Sequence, residues 1–267
     1  MASIFRDNLL QGKHAFVTGG SSGINLRIAE RFAQHGAKVS LLGRKQEKLD
    51  AAVALIKGQG GTALGFSADV RDYEGVERAI KTAVEAHGEL DILVCGAAGN
   101  FPAPAMGMSA NGFKSVIDID VLGTFNACRA AFEHLKKPGS SVLSVSATQA
   151  FIPTPMQAHV SAAKAGVDML TRVLAIEWGG AGIRVNAIAP GPVDETEGMK
   201  RITPTEETKQ MLASTIPLQR YATKDEIADL ALFVCSDAAA YMTGSVVVCD
   251  GGQSLLGSGM LMKALGM

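Results

Sequence analysis

Short runs of apolar residues recur along the chain, and between them lie longer stretches whose apolar positions repeat at helical spacing. Runs that are apolar throughout must be covered on both faces, which parallel sheets achieve with crossover helices. Strands are expected at His14–Thr18, 38–42, Thr62–Ser67, 90–94, Ser141–Val145, 183–188 and 245–249. Helices are expected at 26–35, 47–58, 74–87, 113–135, 160–178 and 224–236, with a polar, mobile stretch over 194–215 before the last of them. This alternation predicts an α/β, doubly wound parallel sheet forming a single domain over residues 1–267. The ligand of such a sheet belongs in the crevice beyond the carboxyl ends of its strands.

With 267 residues, 47% of them hydrophobic and 19% charged, the chain can bury one core without disulfides or metals. Cys95, Cys128, Cys235 and Cys249 are scattered, with no CxxC spacing and no histidine cluster, so reduced buried thiols are expected and no metal site. A formal net charge of -1 argues against a nucleic-acid partner. No apolar run approaches the ~18 residues of a membrane span. The opening MASIFRDNLLQGK is too short and charged for a secretory signal, and the closing Leu-Gly-Met is not a peroxisomal SKL-type address. A soluble, cytoplasmic protein is the default these features set.

The first apolar run leads into Thr18-Gly19-Gly20-Ser21-Ser22-Gly23-Ile24-Asn25. Glycines between a buried strand and a helix let the backbone turn tightly and approach a pyrophosphate, whose charge the helix N-terminus favours. Gly19, Ser21, Ser22, Gly23 and Ile24 are therefore candidate cofactor contacts. The second strand runs out into Gly43-Arg44-Lys45, where an acidic residue would hold the ribose diol of NAD. Arg44 can instead meet a 2′-phosphate with a bidentate contact, so NADP or NADPH is the expected cofactor. Read alone, these cations are ordinary solvated loop charges.

Thr18 to Ile24, then Asp69-Val70, Leu90 to Val94, Lys164 on a helix, Pro190-Gly191-Pro192, Thr243-Gly244 and Asp250-Gly251-Gly252 occur in that order. The series resembles the short-chain dehydrogenase/reductase family, whose fold is Rossmann-type, and the resemblance covers nearly the whole chain. It implies that Asp69 and Val70 flank the adenine, that the segment holding Ala97 passes the adenosine ribose, and that Pro190, Gly191, Pro192, Val193 and Thr196 border the nicotinamide. It also implies that residues 241–252 pair subunits in a homotetramer. Two departures stand out: Asn25 replaces the family's third glycine, and Cys95-Gly96-Ala97-Ala98-Gly99 replaces its Asn-Asn-Ala-Gly run.

Ordinary members reduce carbonyls with a Tyr-x-x-x-Lys pair and a serine. Here the helix reads His159-Val160-Ser161-Ala162-Ala163-Lys164, so Val160 takes the tyrosine's place, and the serine's place falls on Ala147. Tyr73, Tyr221 and Tyr241 are all distant in sequence. The ordinary relay is therefore not expected. Lys164 is kept as a cofactor contact. Asp118 and Asp120 are two apart and cannot face the same way on a helix. Asp120, ahead of Gly123, is the inward candidate and a candidate acid; the rival reading makes it a structural hydrogen-bonding group.

Ala97 to Phe101, Asp118-Ile119-Asp120 with Gly123 to Asn126, His159 with Ser161 to Lys164, and Pro190 to Pro192 with Thr196-Glu197-Gly198 resemble the peroxisomal-type 2,4-dienoyl-CoA reductases, which also lack that tyrosine. The resemblance implies NADPH-dependent reduction of a conjugated 2,4-dienoyl thioester to a 3-enoyl-CoA, with Asp120 and Lys164 at the reacting centre. Substrate contacts carry over to Arg44, Arg71, Phe101, Ser109, Ala110, Asn111 and Arg201, with His159 beside them, and residues 194–215 become a substrate lid. Two alternatives stand beside this one: a carbonyl or 3-oxoacyl reductase whose acid has moved to His159 or Asp120, and a catalytically silent NADP-binding protein.

Overall fold

The computed structural model describes residues 5–257; the closing Leu-Gly-Met and the first residues of the opening segment lie outside them. Seven strands form one sheet, in the order β3-β2-β1-β4-β5-β6-β7, and every pairing is parallel. The strands are β1 (His14–Thr18), β2 (Lys38–Gly43), β3 (Thr62–Ser67), β4 (Ile92–Cys95), β5 (Ser141–Val145), β6 (Arg184–Pro190) and β7 (Val246–Cys249). The helices are α1 (Gly23–Gln34), α2 (Gln46–Gly58), α3 (Tyr73–His87), α4 (Ala110–Ile117), α5 (Gly123–Ala131), α6 (Ala158–Gly179), α7 (Glu197–Ile202), α8 (Glu206–Thr215) and α9 (Lys224–Cys235).

The strict alternation of strand side chains divides the core in two. Ala15 and Val17 of β1 pack with Ile28 and Phe32 of α1, Leu49 of α2 and Leu232 of α9. Phe16, between them in sequence, points to the opposite layer, with Ile80 of α3, Ala127 of α5 and Trp178 of α6. The chain leaves β1 toward β2 on one side and returns to β4 on the other, so a crevice opens where Thr18 pairs with Cys95.

Two expected elements differ from those observed. The helix expected over 113–135 begins three residues earlier and is interrupted: α4 and α5 are joined by a π-helical turn, Asp118–Leu122. Five-residue hydrogen bonding shifts the side-chain register there, which periodicity alone does not reveal. The polar stretch expected to be mobile over 194–215 contains α7 and α8. Thr196 caps α7 by accepting the Met199 N–H, and Thr205 caps α8 by accepting from Thr208 in a capping box. Thr-Glu at the start of each is an N-terminal capping signal that the polarity of the segment masks.

Candidate active site

The glycine turn after β1 forms one wall of a cleft of about 500 Å³. Gly19 has φ 68, which only glycine adopts freely, and a Cβ there would sit 2.9 Å from the Ala97 Cα. The two loops therefore approach as closely as backbone permits. Ser22, at the N-cap of α1, makes no side-chain capping bond, and the first turn has no acidic residue. The opening N–H groups of α1 are thus left to an anion at the cleft.

Gly19, Ser21, Ser22, Gly23, Ile24, Arg44, Asp69, Val70, Ala97, Lys164, Thr196 and Arg201, all singled out from the sequence, line this cleft together. Lys45 and Lys48 join Arg44 at its β2 end, and Lys48 was missed although it lies four residues beyond Arg44, on the first turns of α2. Asp69 receives a bidentate contact from Arg71, with Nε at 3.0 Å and a terminal nitrogen at 2.6 Å. This hydrogen bonding holds the Asp69 carboxyl below its ordinary range and occupies Arg71, which does not line the cleft. Three groups of donors (glycine-loop N–H, α1 N-terminus, Arg44 with its lysine neighbours) fit a phosphorylated dinucleotide.

At the cleft's other end Val160 lines the wall where a tyrosine would stand, and it packs against Val116 and Ala163. Tyr73, Tyr221 and Tyr241 lie outside the lining. Lys164, one turn along α6, donates to the Val145 carbonyl at 2.9 Å and lies 3.1 Å from Asp120 Oδ2. The π-helical turn places Asp120 inward, where its side chain is 0% exposed and its Oδ1 accepts the Gly99 N–H at 2.8 Å. Asp118 instead turns outward to pair with Lys114. Asp120 thus sits one layer behind the cleft, and the lysine ammonium is the member that faces it.

The remaining expected residues are dispersed. His159 is fully buried, its ring 4.4 Å from that of Phe101, and burial holds its imidazole below the ordinary range. Neither ring lines the cleft. Ser109 caps α4 by accepting the Gly112 N–H at 3.0 Å, and Ala110 and Asn111 open that helix, all three outside the cleft lining. Pro190 ends β6, and Gly191 runs so close to β7 that a Cβ would meet the Asp250 Cα at 2.7 Å. Pro192 accepts the Ala222 N–H through its carbonyl, and Val193 bridges to Ala222, which fixes the strand end from which Thr196 and α7 reach over the cleft. From α7, Arg201 donates to the Asn100 carbonyl at 2.9 Å.

A phosphate-binding turn at the switch point of a parallel sheet, with a buried lysine–aspartate pair at the far end of the cleft, defines a Rossmann-type oxidoreductase site. Residues 19–254 match the family model described as enoyl-(acyl carrier protein) reductase, and the chain belongs to the short-chain dehydrogenase/reductase family. A nicotinamide cofactor follows from that membership. The chain is 43% identical over 262 residues to the (3E)-enoyl-CoA-producing peroxisomal 2,4-dienoyl-CoA reductase of Arabidopsis thaliana, covering 94% of this chain and 88% of that one. Identity to the corresponding enzyme of Saccharomyces cerevisiae is 44% over 258 residues, covering 95% and 88%. Among solved structures, a gluconate 5-dehydrogenase from Burkholderia cenocepacia in complex with NADP and tartrate matches with a TM-score of 0.88 at 27% identity, covering 93% of this chain and 98% of that one.

These relatives overturn the expectation of a cytoplasmic protein, since they are named as peroxisomal. Composition and charge report solubility, whereas compartment is set by short receptor-read addresses that carry no weight in either. Among the described residues, no helix is long and apolar enough to cross a membrane.

Proposed function

We propose that this protein is an NADPH-dependent 2,4-dienoyl-CoA reductase, converting a conjugated 2,4-dienoyl thioester to a 3-enoyl-CoA in the breakdown of unsaturated fatty acids. One observation carries the reading: an apolar Val160 stands in place of a phenol, while a buried Asp120–Lys164 pair is retained whose lysine lines the same cleft. Ketone reduction needs a proton delivered to an alkoxide as hydride arrives. A conjugated thioester instead takes hydride at carbon and spreads the charge to its oxygen, so it needs a positive field and a proton source near the thioester. The relatives, named for that chemistry, support the same choice.

Bound NADPH supplies the hydride. Arg44, with Lys45 and Lys48, holds the 2′-phosphate that distinguishes it from NADH. Lys164 orients the nicotinamide end, places its ammonium toward the developing charge and passes a proton to the dienolate carbon, which solvent replaces; the Asp120 carboxylate behind it holds that ammonium in place. The Gly99 N–H and the Val145 carbonyl fix the two members of the pair, so the charge is preorganised rather than recruited. The residue 194–215 segment acts as the substrate lid, with Arg201 near the coenzyme A phosphates. We assign a homotetrameric assembly by likeness to the family, and the relatives' naming supports a peroxisomal setting. The test is NADPH consumption with a 2,4-dienoyl-CoA beside a simple ketone: turnover of the thioester and not of the ketone is expected, and the reverse would reject the reading.

A further inference from the structure

Hydride added to a conjugated thioester leaves negative charge on the thioester oxygen, and none of the groups assigned so far donates a hydrogen bond to it. Of the three Lys164 N–H groups, the Val145 carbonyl and Asp120 engage two, and the third is the proton that goes to carbon. A donor for the oxygen has to come from another group at the same end of the cleft.

The wall that follows β5 carries Val145, Ser146, Ala147 and Gln149. Ala147, where the ordinary serine would stand, has no polar atom in its side chain. The Ser146 hydroxyl is sealed from solvent and from the cleft. Gln149 differs from both: it is half-buried, it lines the cleft, and its amide keeps accessible surface. It sits on a short helical turn, Thr148–Ala150, whose first residue is buried. The Ile152 N–H closes that turn on the Thr148 carbonyl at 2.9 Å, so the segment presenting Gln149 is fixed at its base.

Gln149 Nε2 donates to Oε1 of the buried Gln157 at 3.4 Å, a long contact that steadies the amide. A primary amide has two N–H donors, and the second makes no hydrogen bond among the described residues. Reversing both amides would free the two N–H groups together, so a donor remains in either orientation. A neutral amide also suits the reaction, because it stabilises charge on oxygen without giving up a proton. Protonation is then left to carbon, as a 3-enoyl product requires.

We propose that the side-chain amide of Gln149 donates a hydrogen bond to the thioester oxygen of the substrate, a bond that strengthens as charge develops there, which makes Gln149 a catalytic residue. The proposal rests on the dienoyl-thioester reading of the site.

The test compares the parent with Gln149→Leu and Gln149→Glu in the full-length protein. With a 2,4-dienoyl-CoA, kcat of Gln149→Leu should fall roughly 100-fold, the scale of one lost oxyanion donor, with NADPH affinity nearly unchanged. Gln149→Glu keeps the shape but sets a carboxylate against the developing charge, and should be slower still. A second reading needs no turnover: enzyme loaded with NADP+ is titrated with the dienoyl thioester and with its thioether analogue, which lacks the oxygen. The parent should prefer the thioester by about fivefold, and Gln149→Leu should bind the two alike. Gln149→Leu with parental kcat and the parental preference would overturn the proposal. So would a loss of NADPH affinity as large as the loss in rate, which would assign the amide to the cofactor. A parent enzyme that does not reduce the thioester would instead fail the functional reading itself, and the proposal with it.

Discussion

Replacing Asp120 by asparagine removes a charge and almost no volume, so it isolates what the buried pair contributes. The asparagine oxygen can still accept the Gly99 N–H, which puts its NH2 toward the lysine 3.1 Å away. Two donors then face each other, and Lys164, 9% exposed in its side chain, keeps only the Val145 carbonyl. Breaking a buried pair by removing one partner costs ~3–5 kcal/mol, and the lysine's access to the cleft places this site at the lower end, about 3 kcal/mol. A positioned proton source contributes ~10²–10⁴ in rate, so kcat should fall at least about 100-fold. NADPH affinity should stay nearly unchanged, because the glycine turn and Arg44 are untouched. Urea unfolding, steady-state turnover and NADPH titration give the three readings. The double variant Asp120→Asn with Lys164→Met discriminates further: with no stranded charge left, stability should recover by most of the loss while turnover stays low. An Asp120→Asn protein with parental kcat would remove Asp120 from the mechanism. Strictly additive stability losses in the double variant would refute the buried-pair argument.

Arg44→Ala should weaken NADPH by about tenfold or more with little change for NADH, since a charge-assisted bond to the 2′-phosphate is lost; equal loss for both cofactors would place Arg44 elsewhere. Gly123→Ala introduces a methyl 2.6 Å from Val70 Cγ2 and should destabilise by ~1–3 kcal/mol in urea unfolding; parental stability would show that α5 can yield. His14 and His87 share Ser40 as a hydrogen-bond partner, and burial, then the like charge of His14, pushes His87 down to about 4. His14, His35 and His159 are lowered by burial too, whereas burial raises the Asp168 carboxyl, which opposes them. Histidines that bind protons better unfolded than folded add stability fully present above 6.5 and lost as pH falls from there toward 4. The urea midpoint should therefore be lower at pH 5 than at pH 7, and a midpoint that holds or rises would contradict the assignment.

The strands were legible because each carries a short apolar run between turn signals: His14–Thr18, Thr62–Ser67 and Ser141–Val145 match the expected limits. The nucleotide end of the cleft was legible for a related reason, since a glycine turn must follow β1 directly and Arg44 must follow β2. The reacting end was harder. That Asp118 and Asp120 part company follows from helical spacing, but the π-helical turn that buries Asp120 behind Lys164 depends on five-residue hydrogen bonding that no periodicity encodes. Asn25 could be seen in sequence only as a departure, because the space it takes from Gly96 lies 71 residues away along the chain. Ser109 and His159 show the converse: in sequence they sit among substrate contacts, yet one caps α4 and the other is sealed behind Phe101. The compartment could not be read from composition at all.

On the proposed function, loss of the tyrosine selects a conjugated thioester instead of disabling a carbonyl reductase. This is tested most directly by incubating the enzyme with NADPH and a 2,4-dienoyl-CoA and identifying the product. Stoichiometric oxidation of NADPH with formation of a 3-enoyl-CoA is the predicted result. NADPH that binds but is never oxidised by the dienoyl thioester, or a ketone reduced in its place, would contradict the account.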